Sequence, residues 1–259
     1  MTKKTAIFNL IILLVFVTCS HKNNDVVYEY YPDGTLKSEI EVKNGMRNGI
    51  TKNYDERGRL KSTAELMDDK YEGWMINYNP ANNKVTAKAL YRNDQQNGLA
   101  TLYYSDGQLY REMTYVNGRV DSVVKTYWPG GTLQAEVCFK MGEPAIGLKE
   151  YDKNGNPVIQ PSIVIREDNK LALLNKFELK IYLSDHTQKV DFYKGDLKEG
   201  QYLSSNTPGI FAKDGVATLH FTVSKQRTFK EKISIISRSR TAYGNTLVLH
   251  RVYNLSISN

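Results

Sequence analysis

The chain has 259 residues, 41% hydrophobic and 24% charged, with a formal net charge of +7. That length suits two folded modules, and the apolar content excludes a disordered chain. There are only two cysteines, Cys19 and Cys138: if Cys19 is consumed as argued next, Cys138 has no partner and no disulfide framework exists, and no CxxC or Cys/His metal cluster occurs. Eighteen tyrosines against eight phenylalanines favour half-buried strands, where the ring packs and the hydroxyl stays wet.

The first segment reads as an address. Lys3 and Lys4 precede an apolar run from Ala6 to Val17, about a dozen residues; a membrane-spanning helix needs about 20. A charged start followed by a short apolar stretch is the pattern of an export leader. At its end, Phe16-Val17-Thr18-Cys19 resembles the lipobox of bacterial lipoproteins, with Phe16 and Thr18 where that pattern prefers Leu and a small residue. The resemblance implies a signal peptide over 1–18, a lipid on the thiol of Cys19 and a polar tether over 19–27. Ser20, standing where an inner-membrane retention signal would have Asp, points to the outer membrane. A plain secretory signal or an uncleaved anchor helix are the alternatives.

From residue 28 the chain repeats itself. Tyr30, Tyr54, Tyr78, Tyr103, Tyr127 and Tyr151 recur at intervals of 24, 24, 25, 24 and 24. Gly34, Gly58, Gly107, Gly131 and Gly155 each follow four residues later, and Asn82-Asn83 takes this place in the third unit. Asn is the best substitute where a turn needs positive φ. Leu36, Leu60, Val85, Leu109 and Leu133 come next, and a second glycine follows thirteen residues on at Gly49, Gly73 and Gly98. That second spacing fails in the fourth and fifth units. Beyond each Leu or Val, every second residue is mostly apolar or small, as in Leu60-Ser62-Ala64-Leu66 and Leu133-Ala135-Val137-Phe139. Period two with one polar phase predicts half-buried antiparallel strands. Each unit is then a hairpin that cannot bury its apolar side alone, and stacked hairpins share one. The Tyr-x-x-x-Gly turns and paired Asn-Gly steps, over about residues 28 to 156, resemble the YwqK-type variant of the MORN repeat. The resemblance implies an elongated, twisted antiparallel sheet used for docking rather than catalysis.

The rhythm stops at Tyr151–Ser162, which is rich in turn residues. About seven short apolar runs follow, and Phe177-Leu179-Ile181-Leu183 and Ala217-Leu219-Phe221-Val223 alternate clearly. They predict an Ig-like β-sandwich over 160–259. The fold expected overall is all-β: stacked hairpin repeats, then an Ig-like sandwich.

Chemistry is sparse. His21, His186, His220 and His250 are scattered, and no metal-ligand spacing, nucleophile elbow or phosphate loop occurs. Cys138 has no neighbour that would lower its pKa. No catalytic residue, metal or cofactor is expected. The stretch 225–240 carries six cations against Glu231 and suits either an anionic partner or a solvated edge strand. Tyr31, Tyr104 and Trp128 lie at or beside the position after the repeat tyrosine. They form either an aromatic ladder for a partner or packing between units. The expected function is that of a non-enzymatic lipoprotein of the cell envelope, membrane-anchored and binding an envelope protein or glycan rather than nucleic acid. The alternatives are a hydrolase or glycan-processing enzyme with carboxylates near Glu150 and Asp152 between the modules, and an antitoxin- or immunity-like protein.

Overall fold

Each repeat turns the chain twice, and both turns follow from local sequence. The computed structural model describes residues 25–259; the leader, Cys19 and the start of the tether lie outside them. Strands β1 (Asp25–Tyr30), β2 (Leu36–Lys43), β3 (Met46–Tyr54), β4 (Leu60–Met67), β5 (Lys70–Tyr78), β6 (Val85–Arg92), β7 (Gln95–Tyr103) and β8 (Leu109–Val116) run in sequence order through one antiparallel sheet. The short β9 (Arg119–Val120) pairs with β8, and the sheet continues through β10 (Val123–Tyr127), β11 (Leu133–Lys140), β12 (Glu143–Pro144) and β13 (Lys149–Glu150).

The tight hairpin turns are Asn44-Gly45, Asp68-Asp69, Asn93-Asp94, Asn117-Gly118 and Met141-Gly142, with both residues at positive φ in every case. That is the two-residue turn whose twist matches the strands it joins. The wider turn carries the repeat tyrosine. Tyr30, Tyr54, Tyr78, Tyr103 and Tyr127 pair with Leu36, Leu60, Val85, Leu109 and Leu133, each just past a shift in register. The tyrosine rhythm is therefore a rhythm of identical bulges. The interval of 25 arises in the third unit's wide turn, where Asn83 adopts φ 56° in place of glycine.

A second irregularity explains the other glycine. In the second unit Ala64 pairs with Met75 and Leu66 with Tyr71, so three residues of β5 face Glu65 alone. Gly73 sits in this bulge at φ +122°, and a Cβ there would lie 2.8 Å from the Glu65 Cβ. The Glu65 carboxylate accepts from the Trp74 N–H at 3.2 Å, and Glu41 does the same for Ile50 at 3.0 Å. In the fourth unit Ser122 occupies the glycine's place and its hydroxyl accepts from the Thr114 N–H at 2.9 Å. In the fifth an added residue moves the glycine to Gly147, beside Cys138.

Beyond the array, β14 (Ile163–Lys170), a helical turn α1 (Leu171–Leu174), β15 (Lys176–Leu183), β16 (Val190–Lys194), β17 (Gly209–Ile210), β18 (Ala212–Lys213), β19 (Val216–Phe221), β20 (Thr228–Arg240) and β21 (Thr246–Ser258) form two four-stranded sheets. Their orders are β14-β15-β19-β18 and β17-β16-β20-β21. Lettered along the chain these are A-B-E-D and C′-C-F-G, the Ig-like arrangement. Phe177, Leu179 and Ile181 of one sheet face Phe192, Ile233, Ile235 and Ile257 of the other in a single core. β20 is central, paired with both β16 and β21. β16 reaches only Ile235 to Ser239, so the basic half of β20 from Thr228 to Lys232 keeps one open edge.

Candidate surface of the repeat array

Register divides the array into two faces. One carries the row Val27, Ile40, Thr51, Ala64, Met75, Ala89, Ala100 and Met113, continued by Val124 and Val137. This is the apolar phase expected from the alternation, and Ala64, Leu66, Ala100, Val124 and Val137 on it are buried. At the last units the sandwich covers it. Leu247 and Leu249 of β21 pack with Val124, Ala135, Val137 and Leu148 in one cluster.

The opposite face is charged and tyrosine-rich. Glu39, Lys52, Thr63, Ile76, Lys88, Thr101, Glu112, Lys125, Glu136 and Lys149 follow one another across it. The Lys52 Nζ donates to Glu39 at 2.8 Å, and Lys149 to Glu136 at 3.1 Å. Tyr54 and Tyr127 donate to Glu39 and Glu112, both at 2.9 Å. The hydrogen bond from Lys52 holds the Glu39 carboxyl below the usual range, and Glu39 in turn raises the Lys52 ammonium. Burial, then the bond to Glu112, pushes the Tyr127 hydroxyl up to about 12.

On this charged face lies a row that reading the chain by its tyrosines missed. Val26, Ile50, Leu99 and Val123 are 41 to 45% exposed, and the half-buried Trp74 stands among them. They are the same residue of successive units: Ile50, Trp74 and Leu99 directly follow the second glycine, Val123 follows Ser122, and Val26 holds the equivalent place in β1, four residues before the repeat tyrosine. Trp74 pairs with Leu90, and the Lys88 Nζ lies 5.1 Å above the indole. The signal was present in "GI", "GW" and "GL" at 49–50, 73–74 and 98–99. The apolar alternation of the other phase, as in Leu60-Ser62-Ala64-Leu66, masks it.

The three aromatics singled out from sequence are tied to their neighbours. The Tyr31 hydroxyl donates to the Tyr54 carbonyl at 2.8 Å, the Tyr104 hydroxyl to the Tyr127 carbonyl at 2.6 Å, and the Trp128 indole N–H to the Tyr151 carbonyl at 3.1 Å. Each reaches from its own wide turn to the next. Tyr104 also packs on Tyr110, and Trp128 meets Tyr243 of the sandwich edge-on. What they leave outward is partly exposed ring rather than hydrogen-bonding capacity.

At the junction a cavity of about 380 Å³ is lined in part by Glu150, Gln160, Asp185, Arg240 and Tyr243. Glu150 is buried, and it accepts from Thr241 (2.6 Å), Asn245 (2.7 Å) and Gln160 (3.0 Å). Asp152 is turned into its own wide turn, where Asn154 and Asn156 donate to it. The two carboxylates share no partner, and Glu150 joins the modules. Cys138 has its thiol raised by burial and then by the charge of Glu136, the opposite of what a nucleophile needs. His186 stacks on Tyr182, His220 lies 3.1 Å from Glu178, and His250 bonds Ser234. Among the described residues no three His, Cys, Asp or Glu side chains are grouped to hold a metal.

Segments 26–44, 96–117 and 121–141 match the model of the MORN repeat variant. The last two of these, like the first, end on the opening residue of a tight hairpin turn, Asn117, Met141 and Asn44. Residues 45–95, which hold the second unit and most of the third, fall outside the match; their turns are Asp68-Asp69 and Asn93-Asp94, and the third has the added turn residue. No curated protein matches the chain. The chain is thus a repeat protein with segments similar to the MORN repeat variant.

Proposed function

We propose that the protein is an exported lipoprotein of YwqK type, held to the cell envelope through Cys19 and acting as a non-enzymatic binding or scaffold module. One observation carries the binding part: the exposed apolar row Val26, Ile50, Leu99 and Val123 around Trp74, at one register position of a face otherwise charged. Scattered exposed apolar residues need no explanation, but here Trp74 pairs with Leu90, Leu90 packs at Gly98 beside Leu99, and Val26, Ile50 and Val123 recur at the same position with Glu41 and Glu65 between them; an apolar cluster rimmed by charge marks an interaction surface. Trp74, with Leu90 and Lys88 beside it, is the natural anchor. Tyr31, Tyr104 and Trp128 extend the surface along the wide-turn edge. The partner is an envelope protein or glycan, and the outer membrane is the location that Ser20 favours. A lipid on Cys19 confines this surface to a membrane, and acyl chains add about 0.8 kcal/mol per buried CH₂.

The test joins two variants. Trp74→Ala with Leu99→Ser is expected to cut capture of the partner from envelope extract at least about tenfold, as loss of a central aromatic anchor does, with the fold intact by circular dichroism. Cys19→Ala is expected to abolish incorporation of labelled fatty acid while capture by the detergent-solubilised chain persists. Full capture by the first variant refutes the surface, and full labelling of the second refutes the anchor.

A further inference from the structure

The end of the sandwich remote from the array combines two features that the binding reading does not use. α1 (LALL) buries Leu171 in the core, while Leu173 and Leu174 are 88% and 66% exposed. The turn is firmly held: the Asn169 side chain accepts from the Leu171 N–H at 3.1 Å, and Asn175 closes it in a left-handed conformation at φ 51°. Two adjacent leucines are therefore presented to solvent on a braced base.

Beside them runs the loop from β19 to β20. The Asn259 side chain donates to Asn175 Oδ1 at 3.2 Å and to the Val223 carbonyl. Its backbone bonds Gln226 and Arg227 at 2.6 and 3.2 Å. These bonds place the leucines and the basic loop at one end of the sandwich. Lys225, Arg227, Lys230 and Lys232 are exposed there. None of the four forms an ion pair among the described residues, because Glu231 is taken by Lys194 at 2.7 Å. On the adjoining strands Asp168 and Glu178 are each paired with lysines, and Glu167 accepts from Tyr253. Phe229, 36% exposed, packs its ring 5.7 Å from Phe221 and extends the core aromatics towards the same end.

We propose that this tip docks on an anionic lipid bilayer, with Leu173 and Leu174 entering the acyl boundary and the four free cations meeting headgroup phosphates. Charge complementarity selects the partner. An apolar point beside unneutralised Lys and Arg is the composition of an interfacial anchor, whereas a protein groove would need no such excess. The tip lies at the end of the β20–β21 pair away from Leu247 and Tyr243, which meet the array. It is a second membrane contact, independent of the lipid.

The full chain carrying Leu174→Trp and the lipid-blocking Cys19→Ala tests it, mixed with vesicles of phosphatidylcholine alone or with roughly equal phosphatidylglycerol. Relative to the chain with Cys19→Ala alone, which keeps Trp74 and Trp128, the added tip tryptophan is expected to contribute emission that shifts to shorter wavelength and is quenched by brominated acyl chains on the anionic vesicles. Charge reversal at Lys225 and Arg227 is expected to weaken that partitioning about twentyfold or more, from about fivefold per cation near an anionic surface. Leu174, Lys225 and Arg227 are exposed, so these variants keep the fold, checked by circular dichroism. Emission unmoved by anionic vesicles, quenching equal on neutral vesicles, or displacement of the tip by soluble polyphosphate at matched ionic strength would each overturn the proposal. The last outcome would mark a generic anion site instead.

Discussion

At Gly73 the repeat's demand on a single residue is clearest. The position needs φ +122° and no Cβ, because Glu65 fills the space one would enter. Gly45 also has positive φ, +78°, yet nothing lies within 4 Å of a Cβ there. The two glycines therefore separate conformational from steric cost. Gly45→Ala is expected to destabilise by about 1 kcal/mol, the left-handed penalty alone. Gly73→Ala should cost about 2–3 kcal/mol, since strain and clash add. Urea unfolding monitored by tryptophan fluorescence distinguishes them, and equal costs would mean that Glu65 yields freely. The turn glycines and the Asn83 substitute were legible in the sequence because φ is a local property. Ser122 and Gly147 were not, because one is a different solution to the same bulge and the other is displaced by an insertion.

At the scale of the hairpin, neighbours are joined along both edges. On the wide-turn edge Tyr31, Tyr104 and Trp128 reach the next unit's tyrosine carbonyl. On the tight-turn edge the N–H groups of Asp69, Asp94, Gly118 and Gly142 donate to carbonyls of Arg47, Tyr71, Gln96 and Val120 one hairpin earlier. Coupling between units therefore rests on the turns as well as on the strand ladder. Tyr104→Phe keeps the ring against Tyr110 and removes only the bond to Tyr127. It is expected to lower stability by about 0.5–1.5 kcal/mol, the net worth of one such bond, read from the urea midpoint; an unchanged midpoint would show the bond to be idle. Strands of eight or nine residues announced themselves by period two. The two-residue strands β9, β12, β13, β17 and β18 did not, since so short a segment has no period. Nor could alternation show that the basic stretch lies on a central strand, because sheet order is set by contacts distant in sequence.

For the whole molecule the sandwich is the array's cap. Solenoids leave an unsatisfied end unless a terminal element covers it. Here Leu247, Leu249, Tyr243 and the bonds from Thr241 and Asn245 to Glu150 cover the last units. Ala145 and Ile146 further join the strand segment around Tyr202. At the far end β1 is exposed along its entire length. The two modules were legible as two rhythms; their shared core was not, since Leu247 and Val124 meet only in three dimensions. The central claim is that each hairpin borrows stability from its neighbour and that the cap anchors the series. Amide hydrogen exchange resolved along the chain tests it most directly. Protection should be strongest in β10 and β11 and fall unit by unit towards β1, and Leu247→Ser should lower it first in those two strands. Equal protection in every unit, or protection of β10 and β11 unaffected by Leu247→Ser, would contradict the account.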